Sequence, residues 1–279
     1  MKGVILTGGN GSRLSPLTNV ISKQLMPIYD KPMIYYPLST LMLSGIKEYL
    51  IITTERDNDL FKSLLGNGSQ WGIDIQFEIQ TSPDGIAQAF ILGEQFISNS
   101  GIAFILGDNL FHGNQLIPKL EFADKNNQGA TIFAYKVNDP ERYGVVGFDK
   151  NGRVISLEEK PTIPKSSYAV TGLYYYEDSV VDYAKTIKAS KRNELEITDI
   201  NNIYLHENKL RVELIGRGTT WLDTGTNDSL HQASSYIRTL ENRQGLKIGC
   251  PEEIAWRNGW IDDKQLYSLA QYLIKSSYG

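Results

Sequence analysis

An α/β fold is expected, built on a mostly parallel mixed sheet with an inserted β-hairpin and a helical C-terminal appendage. Three observations carry this. Between residues 4 and 136, short apolar strands alternate with amphipathic helical stretches, the pattern of right-handed crossovers in one sheet. Asn151-Gly152 separates two strand-like runs, a strong hairpin signal. From about residue 227 onward the apolar spacing is helical.

The elements follow in order. Val4-Ile5-Leu6 is apolar throughout and stops at Gly8-Gly9, as in a strand buried on both faces. A helix is expected over 32–44: Pro32 suits its first turn, Ile34, Leu38, Leu41 and Met42 share one face, and Gly45 ends it. The alternation continues with strand 49–53, helix 58–65, strand 75–79, helix 86–97, strand 102–106, helix 115–126 and strand 130–136. The rhythm then changes. Hairpin strands at 145–148 and 153–157 precede a Pro/Ser/Lys loop at 161–167 and a strand at 170–176. Helices near 179–188 and 197–207, a strand at 210–215, and helices near 227–243, 252–258 and 262–275 complete the chain. No repeat or low-complexity run interrupts it. The expected division is a core over 1–240 and a helical appendage over 241–279 packed on that core.

Composition narrows the chemistry. The 279 residues carry 28 Lys and Arg against 32 Asp and Glu, a formal charge of −4. That disfavours a general nucleic-acid binder, which needs a basic surface. It leaves room for a local basic pocket holding one phosphorylated ligand. The single cysteine, Cys250, forms no disulfide within the chain, and with three histidines it makes no Cys/His zinc cluster. A cytoplasmic location fits this usage. Any metal is expected on carboxylates, which favour Mg²⁺ or Mn²⁺. No apolar run approaches the roughly 20 residues of a spanning helix.

Five places carry candidate chemistry. The first is Gly8-Gly9-Asn10-Gly11-Ser12-Arg13-Leu14, directly after the first strand. Its glycines allow a sharp turn that brings N–H groups to an anion, and Arg13 adds a bidentate phosphate donor. It is not a Walker loop, because the chain has no Gly-Lys pair. It is not a dinucleotide fingerprint either, because Leu14 stands at the third glycine position. A plain β-to-α turn fits the glycines alone; Arg13 and Lys23 tilt the reading toward a triphosphate. The second and third places are Gly107-Asp108-Asn109 and Trp221-Leu222-Asp223-Thr224-Gly225, each after an apolar run. Asp108 and Asp223 would share a hard cation if their strand ends are adjacent; each also reads as a turn or helix cap. The fourth is Glu159-Lys160, where a carboxylate suits sugar hydroxyls and an ammonium suits phosphate; a solvated strand end is the commoner reading. The fifth is Gln80 before Ser82-Pro83-Asp84-Gly85, an amide able to read a base edge or part of an ordinary turn.

In order along the chain, these and other pieces make a pattern: the glycine loop; Ser22-Lys23-Gln24-Leu25-Met26-Pro27; Tyr29-Asp30-Lys31-Pro32-Met33-Ile34-Tyr35-Tyr36-Pro37; Gly107-Asp108-Asn109; Glu141-Arg142-Tyr143-Gly144-Val145-Val146; Glu158-Glu159-Lys160-Pro161; Glu194-Leu195-Glu196-Ile197-Thr198-Asp199; and Trp221-Leu222-Asp223-Thr224-Gly225. Over essentially its whole length the chain resembles the sugar-nucleotide pyrophosphorylases, or sugar nucleotidylyltransferases, in their long form. The resemblance implies a three-layer Rossmann-like nucleotidyltransferase fold. It implies Mg²⁺-assisted thymidylyl transfer from dTTP to α-D-glucose 1-phosphate, giving dTDP-glucose and pyrophosphate. By position, Gly8, Gly11, Ser12, Arg13 and Lys23 would cradle the triphosphate with Gln24 beside it, and Gln80 and Gly85 would hold thymine. Asp108 and Asp223 would hold the metal. Asn109, Gly144, Glu159, Val170 and Tyr174 would line the sugar pocket, and Lys160 would grip the sugar phosphate. Arg13, Lys23 and Lys160 would be the catalytic cations. The long form further implies a homotetramer and feedback by dTDP-rhamnose.

The chain departs from the family pattern in three places. Thr7 stands where Ala is usual, Asn193 where Gly is usual, and the chain stops at Gly279 where long-form relatives continue. Three alternatives remain open on residues alone. They are a UTP-using or promiscuous nucleotidylyltransferase, a glycosyltransferase on a similar fold, and a non-catalytic nucleotide-sugar binder. The chemistry itself needs no general base, since the attacking phosphate oxygen is already ionised at pH 7; positioning and charge stabilisation suffice.

Overall fold

The computed structural model describes residues 1–9 and 11–279. Its centre is β1 (Lys2–Leu6), where Val4 and Ile5 are fully buried on opposite faces. The remaining strands are β2 (Pro27–Ile28), β3 (Lys31–Pro32), β4 (Glu48–Thr54), β5 (Asp74–Gln80), β6 (Ile102–Leu106), β7 (Asn109–Gly113), β8 (Ala130–Lys136), β9 (Gly144–Phe148), β10 (Val154–Glu159), β11 (Tyr168–Tyr176), β12 (Leu210–Ile215) and β13 (Thr219–Asp223). The helices are α1 (Tyr35–Met42), α2 (Asn58–Leu65), α3 (Gln88–Leu92), α4 (Glu94–Ile97), α5 (Leu116–Lys125), α6 (Val180–Thr186), α7 (Ile197–His206), α8 (Asn227–Gln244), α9 (Pro251–Arg257) and α10 (Asp263–Leu273).

The large sheet runs β10-β9-β11-β6-β1-β4-β5, and β8 and β12 extend it from β11. It is parallel through β6-β1-β4-β5 and in the β8–β12 pair, and antiparallel around β11. Alternating side chains enter two cores. Ile5, Ile51, Ile105 and Tyr175 meet Leu38, Leu41 and Phe61 on one face. Val4, Ile52, Phe104 and Tyr176 meet Phe90, Ile200 and Tyr204 on the other. Helices therefore cover both faces in three layers, as sheet strands this apolar require.

Several expectations need correcting. The helix expected over 32–44 is shorter. Pro32 lies in β3 opposite Pro27, because Met33 N–H and Ile34 N–H are already committed to Met26 and Gln24 carbonyls. The proline of the first turn is Pro37, at a position where a helix leaves its N–H unpaired. The helix expected over 86–97 breaks at Gly93 into α3 and α4. A Cβ there would stand 3.1 Å from both the Ala89 carbonyl and Leu50 Cδ2 on β4. The short strands β2, β3 and β7 lie outside the expected elements, and β13 is foreseen only as the apolar run that ends at Asp223. β7 and β13 pair across more than a hundred residues, a register that no local pattern encodes.

The C-terminal helices lean on the core. α8 is capped by Thr226, whose hydroxyl accepts from Ser229 N–H at 3.2 Å while the Ser229 hydroxyl accepts from Thr226 N–H at 3.0 Å. Its buried Ala233 and Ile237 join Ile28, Met33, Tyr36 and Leu110 in a third core. Glu241 on α8 accepts from Lys31 Nζ at 2.9 Å and Lys247 Nζ at 3.1 Å, and Asp30 binds the same two ammoniums. This quartet, with Lys31 and Glu241 buried, fastens the β2–β3 turn to α8. Asn193 has φ +61, a left-handed backbone that asparagine tolerates.

Candidate active site

The carboxyl ends of β6 and β10 and the end of β13 surround a cleft of about 540 Å³. A crevice at the carboxyl edge of parallel strands is the ordinary ligand position of such sheets. Of the residues singled out from sequence, Gly8, Arg13, Lys23, Gln24, Asp108, Asn109, Gly144, Glu159, Lys160, Val170, Tyr174 and Asp223 line it. Gly11, Ser12, Gln80 and Gly85 do not. Gly11 and Ser12 begin a short 3₁₀ turn, with Gly11 at φ +56. Asn10 lies outside the described residues. Gln80 is buried behind Gly8, where a Cβ would meet its Oε1 at 2.0 Å. Its amide donates to Gln88 Oε1 at 2.6 Å. Gly85, at φ +112, packs against the Leu195 backbone.

The two aspartates do end on adjacent elements. Asp223 pairs with Asn109 in the β7–β13 ladder, one residue from Asp108. Asp108 Oδ2 accepts a hydrogen bond from Lys23 Nζ, and its Oδ1 accepts from Asn109 Nδ2 at 2.9 Å. Burial alone would raise the Asp108 pKa, yet the charge and hydrogen bond of Lys23 hold it below the ordinary carboxylate value. Burial first, and then the charge of Asp108, raise Asp223; Lys23, Arg13 and Arg142 offset this only in part. Two partly buried carboxylates in repulsion, with side chains only 12% and 14% exposed, fit a hard divalent cation. Among the described residues no third His, Cys, Asp or Glu joins them. The rest of such a cation's shell would come from ligand oxygens and water, as Mg²⁺ favours. Cys250 has no part here: burial and then Glu252 push its thiol up to about 12, far from thiolate chemistry.

The opposite wall carries Glu159 and Lys160. Glu159 Oε2 accepts from Thr198 Oγ1 at 2.6 Å, and its Oε1 accepts from Arg192 Nη2 at 3.3 Å. Lys160 adopts φ +44, a conformation unusual for lysine. Its N–H donates to the Tyr143 carbonyl at 3.0 Å. Its ammonium stays 3.8 Å from Glu159 and 47% exposed, free to reach an anion. Thr7, beside the loop, is fully buried and donates to the Ile52 carbonyl at 2.8 Å. Its hydroxyl is turned into the sheet.

Sequence reasoning missed several side chains. Arg142 enters the cleft 3.9 Å from Asp223. Thr198 fixes Glu159, and Glu196 holds Arg192 at 2.7 Å. Trp221 Nε1 donates to Asn109 Oδ1 at 2.5 Å. Arg142, Glu196, Thr198 and Trp221 all stand within motifs quoted above, which was the available signal. Nothing in the sequence marked Arg192. The lining is charge-balanced: Arg13, Lys23, Arg142 and Lys160 face Asp108, Asp223, Glu159 and Glu194. A divalent cation on the aspartates would tip this balance toward binding polyanions.

Comparison with known proteins gives the family and the fold. The model of the nucleotidyl transferase family matches residues 2–239. The chain is 55% identical over 279 residues to glucose-1-phosphate thymidylyltransferase of Neisseria meningitidis, covering all of this chain and 97% of that protein. It is 56% identical over 278 residues to the enzyme of the same name from Xanthomonas campestris, covering 94% of that protein. Among solved structures, a Bacillus anthracis protein assigned as a glucose-1-phosphate thymidylyltransferase, in complex with sucrose, superposes with a TM-score of 0.80. It is 42% identical, and the match covers 85% of this chain and 95% of that one. A UDP-glucose pyrophosphorylase at 24% identity and a TM-score of 0.72 shares the fold, over 86% of this chain and 98% of that one.

Proposed function

Because the chain belongs to the nucleotidyl transferase family, we propose that it transfers a thymidylyl group from dTTP to glucose 1-phosphate, giving dTDP-glucose and pyrophosphate. The observation that carries this reading is the convergence in one cleft of Arg13, Lys23 and Lys160 with the Asp108–Asp223 pair. The relatives' shared name supplies the substrates.

The reaction joins two anions, so the protein's task is orientation and charge neutralisation. Arg13 and Lys23 hold the triphosphate, with Gly8 and Gln24 beside them and Gly11 and Ser12 forming the turn that carries Arg13. Gln80 and Gly85 shape the base end. Glu159, steadied by Thr198, accepts from sugar hydroxyls, alongside Asn109, Gly144, Val170 and Tyr174. Lys160 brings the sugar phosphate in line with the α-phosphorus. The sugar phosphate oxygen attacks already ionised, which agrees with the absence of histidine from the cleft lining among the described residues. Asp108 and Asp223 would hold Mg²⁺, which when bound supplies charge neutralisation to the phosphate oxygens.

We assign residues 241–279 to a helical appendage of the core over 1–240. From the family resemblance of that segment we further propose a homotetramer whose rate is reduced by dTDP-rhamnose. No helix of the described residues is long and apolar enough to cross a membrane, and we place the reaction in the cytoplasm. The test is pyrophosphate release with glucose 1-phosphate and Mg²⁺, comparing dTTP with UTP, ATP, CTP and GTP. Release with dTTP above the others is expected. Equal release with UTP would remove the thymidine preference, and release with none would refute the reaction. Unchanged initial rates on adding dTDP-rhamnose at sub-saturating substrate would refute the feedback.

A further inference from the structure

Gly225 sits between two side chains that belong to different parts of the cleft. A Cβ placed on it would stand 2.6 Å from Arg13 Nη2, 3.2 Å from Arg13 Cζ and 2.9 Å from Asp223 Oδ1. Its own N–H donates to Asp223 Oδ1 at 3.0 Å. Its φ lies outside the left-handed region, so backbone conformation does not require glycine here. The requirement is space. The guanidinium of Arg13, carried on an exposed turn more than two hundred residues away, packs onto the bare Cα. The carboxylate of Asp223 is held beside it by the backbone.

We propose that Gly225 is a positioning residue: its missing side chain seats the Arg13 guanidinium while its N–H orients the Asp223 carboxylate. One backbone unit thereby sets where the triphosphate clamp stands relative to the metal ligand. The inference rests on the thymidylyl-transfer reading. The atoms an added methyl would strike are all side-chain atoms, and Arg13 is the movable one. Asp223 is tied to β13 and to the Gly225 N–H. Gly225→Ala therefore folds and displaces Arg13.

The test is calorimetric dTTP binding with Mg²⁺ and without sugar phosphate. It is made on the full chain, Gly225→Ala, Arg13→Ala and the double variant, with Gly216→Ala as control, since nothing lies within 4 Å of a Cβ there. Gly225→Ala is expected to weaken dTTP binding about tenfold in the otherwise unchanged chain, the order of one hydrogen bond to a charged group. It should change binding less than about twofold when Arg13 is already alanine, since coupled residues are non-additive. In turnover, KM for dTTP rises and KM for glucose 1-phosphate stays. Equal losses in both backgrounds, no loss at all, or a Gly225→Ala chain that does not fold would each overturn the seat. Failure of the unmodified chain to bind dTTP would overturn the thymidylyl reading, and the seat with it.

Discussion

Truncating Lys160 separates function from stability. The side chain is 47% exposed, and the carboxylate nearest it, Glu159, is 3.8 Å from its ammonium. An exposed pair at that distance contributes little to folding. Lys160→Ala should therefore leave stability within about 0.5 kcal/mol. The catalytic loss is of another order, because beside this loose pair with Glu159 the exposed ammonium is left to meet the sugar phosphate. By analogy with deleting one electrostatic donor, kcat should fall on the order of 10²–10³, or about 2.7–4 kcal/mol of transition-state stabilisation. The backbone supplies a second handle. At φ +44, any residue with a Cβ costs about 1 kcal/mol relative to glycine. Lys160→Gly should thus be as inactive as Lys160→Ala yet melt roughly 2 °C higher. Continuous pyrophosphate detection gives the rates, and circular dichroism melts give the stabilities. If either variant turned over within about threefold of the parent, or if the glycine variant melted no higher than the alanine variant, the reasoning would be wrong.

Other perturbations follow from the same geometry. Asp223→Asn should abolish metal-dependent turnover while raising the melting temperature in metal-free buffer at pH 7. The folded pKa of Asp223 is raised by burial and Asp108, so stability is greatest below its unfolded pKa and is lost as pH rises through its folded one. The amide stays neutral across that window, and equal or lower melting at pH 7 would contradict this. Trp221→Phe leaves Asn109 Oδ1 with the Gly172 N–H as its remaining donor. It should cost about 0.5–1.5 kcal/mol in urea denaturation; no change would show the indole hydrogen bond to be inert. Thr7→Ala removes a buried hydroxyl that faces the Ile52 carbonyl and should cost about 1 kcal/mol. The rate ratio of dTTP to UTP should not move, and a shifted ratio would place Thr7 in nucleotide selection.

Legibility varied with the range of the interaction. Helix 58–65 and strands 102–106, 130–136 and 210–215 were readable to the residue, since each is a local run of apolar or amphipathic pattern. The start of α1 was not, because Pro32 is drawn into β3 by bonds to Gln24 and Met26 and by the burial of Lys31 against Asp30 and Glu241. Asp108 and Asp223 could each be suspected of holding a metal. Their adjacency comes from the β7–β13 ladder, between segments with no sequence relation.

The sequence by itself determined the kind of chemistry. It supplied a glycine loop with Arg13, a lysine ten residues on, two aspartates at strand ends and a Glu-Lys pair, with the apolar alternation that sends them all to one edge of a sheet. Tertiary structure decided which atoms face which. Only the fold turns Thr7 inward to Ile52, leaves Lys160 without a close partner, bonds Asn109 to Trp221 and Asp108, and lays Arg13 across Gly225. The physical reason is range. Backbone preference and hydrophobic periodicity act over a few residues and are written locally. Hydrogen bonds, charge pairs and steric exclusion act over a few ångströms of space, which the chain closes only once the sheet has formed.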